Sequence, residues 1–68
     1  MQVTFKDLYA NGSLELELDS LPRKDDLIQL NVEAGGFRLC YVSEVIHLVE
    51  ENRVEVLYAD LSRKPPRF

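Results

Sequence analysis

His47, Cys40 and two groups of carboxylates are the residues of this 68-residue chain with the means to do chemistry. A histidine can act as a general base or bind a metal, and a cysteine becomes a nucleophile once a base or a positive field lowers its pKa. Neither has the company those roles require. His47 is the single histidine, lies between Ile46 and Leu48 in mid-strand, and has no second ligand near it in sequence, so it reads as a sheet histidine packed beside Val56. Cys40 alternates with Leu39 and Tyr41 and reads as a small strand residue. Glu15, Glu17 and Asp19 recur at a spacing of two, and Asp25-Asp26 stand together. Paired acids can perform acid-base or metal chemistry. A solvated strand face and a capped loop account for these ones more simply. No phosphate loop, nucleophile elbow or Cys/His cluster is present. The expectation is a protein that is not an enzyme and holds no cofactor or metal.

The elements that carry these residues are extended. Asn11-Gly12, Gly35-Gly36 and Glu51-Asn52 each separate two runs in which alternate residues are apolar, the pattern of a β-hairpin. A two-residue type I′ turn at Asn11-Gly12 predicts Tyr9 opposite Leu14, Phe5 opposite Leu18 and Lys6 opposite Glu17. Leu14, Leu16 and Leu18 then point inward and Glu15, Glu17 and Asp19 outward. Asp7 opposite Leu16 is the awkward pair, and it predicts a bulge or a slipped register. A turn at Gly35-Gly36 sets Glu33 against Arg38, Val32 against Leu39 and Leu30 against Tyr41. At Glu51-Asn52 a tight turn gives His47 opposite Val56 and Val45 opposite Tyr58, while a four-residue loop remains an alternative. The run from Phe37 to Val49 belongs to two hairpins and exceeds the usual strand length. With Phe37, Leu39 and Tyr41 on the core face, a bend is predicted at Ser43-Glu44.

Composition limits the partners. The chain is one domain near the size at which a core alone can offset chain entropy, and its 46% apolar and 29% charged residues are those of a globular protein. A single cysteine excludes an internal disulfide and suits a reducing compartment, so the cytoplasm is the expected location. No apolar stretch approaches membrane-span length, and no basic-then-apolar leader opens the chain. The net charge of −4 is unevenly spread: twelve acids and five bases, a formal −7, precede residue 62, and the three bases of the tail give +3. A body of that sign disfavours nucleic acid, whose binding needs several Lys or Arg contacts on one surface. Residues 1–61 form the expected domain and residues 62–68 a basic tail. Arg63, Lys64, Pro65, Pro66, Arg67 and Phe68 are candidate partner-binding residues, because the Pro-Pro step favours an extended arm that could lie on a protein partner or on a second copy of the chain.

Five antiparallel strands in meander order, with an early polar loop and a bent central strand, define an all-β fold: a small, partly open barrel. Asp25-Asp26-Leu27-Ile28-Gln29-Leu30, the run from Phe37 to His47 and Val54-Glu55-Val56-Leu57-Tyr58 resemble the middle strands of small SH3-like barrel proteins of bacteria and phages. Such barrels serve as peptide binders, nucleic-acid binders, assembly subunits and inhibitors, so the resemblance implies a fold and no single activity. The leading expectation is a non-catalytic protein-binding module or assembly subunit. The alternative is an acidic inhibitor that presents Glu15, Glu17, Asp19 and Glu55 as a mimic of phosphates. A third reading is a weak nucleic-acid binder using Arg38, Arg53 and the tail, with Tyr41 or Tyr58 as stacking surfaces.

Overall fold

The structure, a computed structural model, describes residues 1–31 and 35–63. Five strands form one sheet: β1 (Gln2–Asp7), β2 (Ser13–Glu17), β3 (Leu27–Asn31), β4 (Phe37–Leu48) and β5 (Arg53–Asp60), in the order β2-β1-β5-β4-β3. The sheet curls into a half-barrel. Short 3-10 turns occupy Val49–Glu51 and Leu61–Arg63, the second crossing the boundary expected between domain and tail.

The sheet is mixed, which corrects the all-antiparallel meander. β1 runs parallel to β5, Val3 beside Val54 and Phe5 beside Val56, while every other pairing is antiparallel. The reason is burial. Placing β1 against the central strand brings Val3, Phe5, Val42 and Val56 into one core, with Leu16, Leu18, Leu21, Ile28, Val45 and Tyr58 packed around them. Residues on the inner face alternate with outward residues along each strand, as the pleat requires.

Two hairpin registers differ from the expected ones. The β1–β2 connection takes residues 8–12, with Gly12 at φ 114°, so Phe5 faces Leu14, Val3 faces Leu16 and Lys6 faces Ser13. The shift is even, so Leu16 and Leu18 pack against the core as expected, while Leu14 is left 39% exposed. Asp7 is the cause: it leaves the β2 pairing to meet Arg38, and its Oδ1 accepts the Tyr9 N–H at 2.9 Å. No bulge is needed there. In the β3–β4 pair, Leu30 faces Arg38 and Leu27 faces Tyr41. This shift is odd, and it reverses the faces of β4. Cys40 and Val42 therefore enter the core, whereas Phe37 and Leu39 lie outside and exposed. The predicted contacts of Val32 and Glu33 lie outside the described residues.

The remaining connections follow the sequence more closely. Residues 49–52 form a four-residue loop closed by Leu48 opposite Arg53, so His47 faces Val54 and Val45 faces Val56. Asn52 supplies the left-handed conformation at φ 52°, and its N–H donates to the Val49 carbonyl at 3.2 Å. The register of β4 on β5 slips between Val42 and Glu44, leaving Ser43 as the extra residue at the expected bend. That bulge lets Val42 and Val45 share the inner face. Ahead of β3, the Asp26 carboxylate accepts the Arg23 N–H at 2.8 Å and ties off the polar loop.

Candidate functional site

The chemistry-bearing side chains are dispersed or already paired. His47 is exposed beside a cavity of about 620 Å³ that Met1, Leu21, Asn52 and Arg53 also line. Among the described residues no group of three His, Cys, Asp or Glu side chains could hold a metal. Cys40 is fully buried. Burial pushes its thiol up from the ordinary value and Arg38 partly opposes that, which keeps it in the unreactive protonated form.

At one mouth of the half-barrel, Arg38 bridges two carboxylates. Its Nη2 meets Asp7 Oδ2 and its Nε meets Asp60 Oδ2, each at 3.3 Å, joining β1, β4 and β5. The hydrogen bond to Asp7 is the main reason the guanidinium is held above its ordinary pKa. Burial pushes the phenol of the neighbouring Tyr58 upward. Asp60 is held below the usual carboxylate range, chiefly because the Ser62 N–H donates to it at 3.0 Å, with Arg38 adding to the effect. Arg63 then stacks on the Tyr9 ring, 4.5 Å from its centroid. The first candidate tail residue is therefore spent on an internal cation–π contact. Lys64, Pro65, Pro66, Arg67 and Phe68 lie outside the described residues.

The four candidate acids divide. Glu15 and Glu17 project from the outer face of β2, where Glu17 meets the N-terminal ammonium, and Asp19 follows the strand on an exposed bend. Glu55 is buried in central β5 between Lys6, at 3.0 Å, and Arg53, at 3.5 Å. It contributes nothing to an exposed acidic surface. The bases expected to meet nucleic acid are likewise engaged, Arg38 by Asp7 and Asp60, and Arg53 by Glu51 and Glu55.

What the fold leaves open is a groove. β2 and β3 are the two edge strands, and each bonds to a neighbour on one side only. Between them lies a cavity of about 390 Å³ floored by Phe5, Leu16, Ile28 and Leu30 and closed at one end by Leu18, Leu21 and Pro22. Backbone N–H and C=O groups on the free side of such strands are unpaired in the sheet and can accept another chain. Sequence reasoning did not anticipate a groove bounded by two edge strands, because the strand order was not legible.

The outer faces at the two ends of the sheet also differ. On the β1–β2 ladder the outward residues are Gln2, Thr4, Lys6, Ser13, Glu15 and Glu17, all polar. On the β3–β4 ladder they are Leu27, Gln29, Asn31, Phe37, Leu39 and Tyr41, with no charged side chain. Leu27 and Phe37 are each 59% exposed and Leu39 is 45% exposed. The odd register shift put them there.

Comparison of the chain with protein-family models, with curated proteins and with solved structures finds no match.

Proposed function

We propose that this protein is a non-catalytic binding module that accepts an extended strand of another protein in the groove between β2 and β3. The observation that carries the reading is the apolar floor of Phe5, Leu16, Ile28 and Leu30 flanked by two free strand edges. An inserted strand would gain main-chain hydrogen bonds from both sides and bury every second side chain in the floor. Its outward residues would lie beside Glu15 and Glu17, which favours Lys or Arg there. The partner is therefore an extended segment alternating apolar and basic or neutral residues, without proline. We place this activity in the cytoplasm, where the one buried thiol stays reduced; among the described residues no helix is long and apolar enough to cross a membrane.

The likeness to small SH3-like barrels rests on the strand number, the curl and the bent β4; the parallel β1–β5 pair departs from their meander. The phosphate-mimic reading is left with Glu15, Glu17 and Asp19, since Glu55 is neutralised, and in the groove reading Glu15 and Glu17 select charge.

Selection from a displayed library of extended peptides tests the proposal, with the selected peptides mapped by amide chemical shifts. Alternating peptides should perturb and protect residues 13–17 and 27–31, and E15K with E17K should weaken basic ones about tenfold. Selection of no peptide over a proline-interrupted control, or perturbation confined to other strands, would reject it. Displacement of duplex DNA from a DNA-binding protein by the intact chain, lost in E15Q/E17Q, would establish the mimic instead.

A further inference from the structure

The groove between β2 and β3 ends at a charge. Along the inner row of β3 the alternation Asp26, Ile28, Leu30 sets a carboxylate in line with two floor residues, and Asp26 lines the same cavity. Of the described side chains around that cavity Asp26 alone is ionisable; Ser20 and Gln29 are the other polar ones. β2 and β3 run in opposite directions across the groove, so Asp26 lies at the end of Leu18, and Leu30 marks the other end. The bond from the Arg23 N–H to Asp26 Oδ2, at 2.8 Å, fixes the carboxylate beside Pro22 at the closed end.

We infer that Asp26 is the specificity-determining residue of the groove, and that the inserted segment carries a cationic group at the inward position nearest the closed end. A Lys or Arg side chain or a free α-ammonium supplies the same chemistry there. The inference rests on the groove being a strand-binding site. Its ground is what an occupant does to Asp26. One carboxylate oxygen takes the Arg23 N–H, and among the described residues no cation pairs with the group; Lys24 is held by Glu44 at 3.2 Å. In the open groove Asp26 is exposed to solvent. A strand laid over the floor removes that solvation, and a carboxylate covered without a partner is costly. An apolar residue at this position therefore opposes insertion, an acid opposes it more strongly, and a cation converts the cost into a charge-assisted hydrogen bond. The next inward positions lie over Ile28 with Leu16 and then over Leu30. Counted from the closed end, the recognised row is one cation and then two apolar residues. Glu15 and Glu17 act on the outward residues, and Asp26 reads the inward row.

Titration of the full chain with acetylated synthetic peptides, followed by amide chemical shifts, tests the inference. The peptides alternate inward Val and Leu with outward Thr, which gives Glu15 and Glu17 no charge to select, and carry Lys, norleucine or Glu at the first or the last inward position. The Lys peptide should bind about tenfold more tightly than its norleucine isostere, and the Glu peptide more weakly than either. Added sodium chloride should shrink that preference. D26N, whose amide oxygen still accepts the Arg23 N–H, should keep the circular dichroism of the wild type and lose the preference, whereas D19N, outside the groove, should retain it. Should D26N fail to fold, the wild-type comparison decides alone. A norleucine peptide that regains the preference when its N-terminus is left free would support the inference, with an α-ammonium as the source of the cation. Equal binding of Lys and norleucine peptides at residues 13–17 and 27–31, or a Lys preference that survives in D26N, would overturn the inference and leave the groove reading standing. Binding of no peptide would remove both.

Discussion

The β1–β2 and β3–β4 ladders have the same length and the same antiparallel pairing, and both feed residues into one core, Leu16 from the first and Ile28 from the second. Their outer faces are opposites. β2 protects its edge with Glu15 and Glu17, a usual defence of an exposed strand, while β3 runs Leu27-Ile28-Gln29-Leu30-Asn31 with neither charge nor proline. The same ladder length and pairing sense thus yield one outer face that is wholly polar and one that leaves Leu27, Phe37 and Leu39 exposed. Exposure alone does not mark an interface.

The comparison assumes a core common to both ladders. Phe5→Ala should test that most severely, costing about 3–5 kcal/mol in urea unfolding, since Phe5 is buried between the ladders and packs on Tyr58 with ring centroids 6.3 Å apart. Smaller and more discriminating are L16A and I28A. Each should cost about 1–3 kcal/mol, and the two should agree within about 1 kcal/mol if both ladders are held alike. A much larger cost for one would mean that the difference between the ladders lies in anchoring and not in surface chemistry. E15T with E17T should change folding stability by no more than about 0.5 kcal/mol while raising concentration-dependent association in size-exclusion chromatography, because the β2 edge then resembles that of β3.

The smallest effect belongs to pH and to the mouth where Arg38 joins Asp7 and Asp60. Asp60 has its folded pKa depressed, so its contribution to stability is fully present above the ordinary carboxylate value of about 3.9 and is lost as pH falls through the lower folded value. Its carboxyl resonance should titrate below the ordinary range, and D60N should flatten this part of the acid limb of the stability profile. A D60N profile that still follows the wild type would place the acid sensitivity elsewhere.

How far the sequence could be read depended on the range of the interaction concerned. Ser43 as the corrective residue in β4 was legible because a long strand shared by two hairpins must bend, and a polar residue among alternating apolar ones marks the place. The four-residue loop after Leu48 was one of two readings, and the αL conformation of Asn52 fits it. The hairpin at Asn11-Gly12 was found, but its register was not. A dipeptide specifies a tight turn only if nothing distant competes, and Asp7 is drawn away by Arg38, 31 residues later. At Gly35-Gly36 a shift of odd size exchanged the faces of β4. That is why the residues expected in the core, Phe37 and Leu39, lie exposed on the outer face.

By itself the sequence determined that the chain is extended, where most of its strands lie, and that its body is acidic, since these follow from side-chain alternation and from ionisation that any conformation shares. Tertiary structure decided that β1 lies parallel to β5, which edges remain free, and which side of β4 meets water. Those outcomes turn on pairings between residues far apart in the chain, where one step of register exchanges inside for outside and no local pattern records the choice.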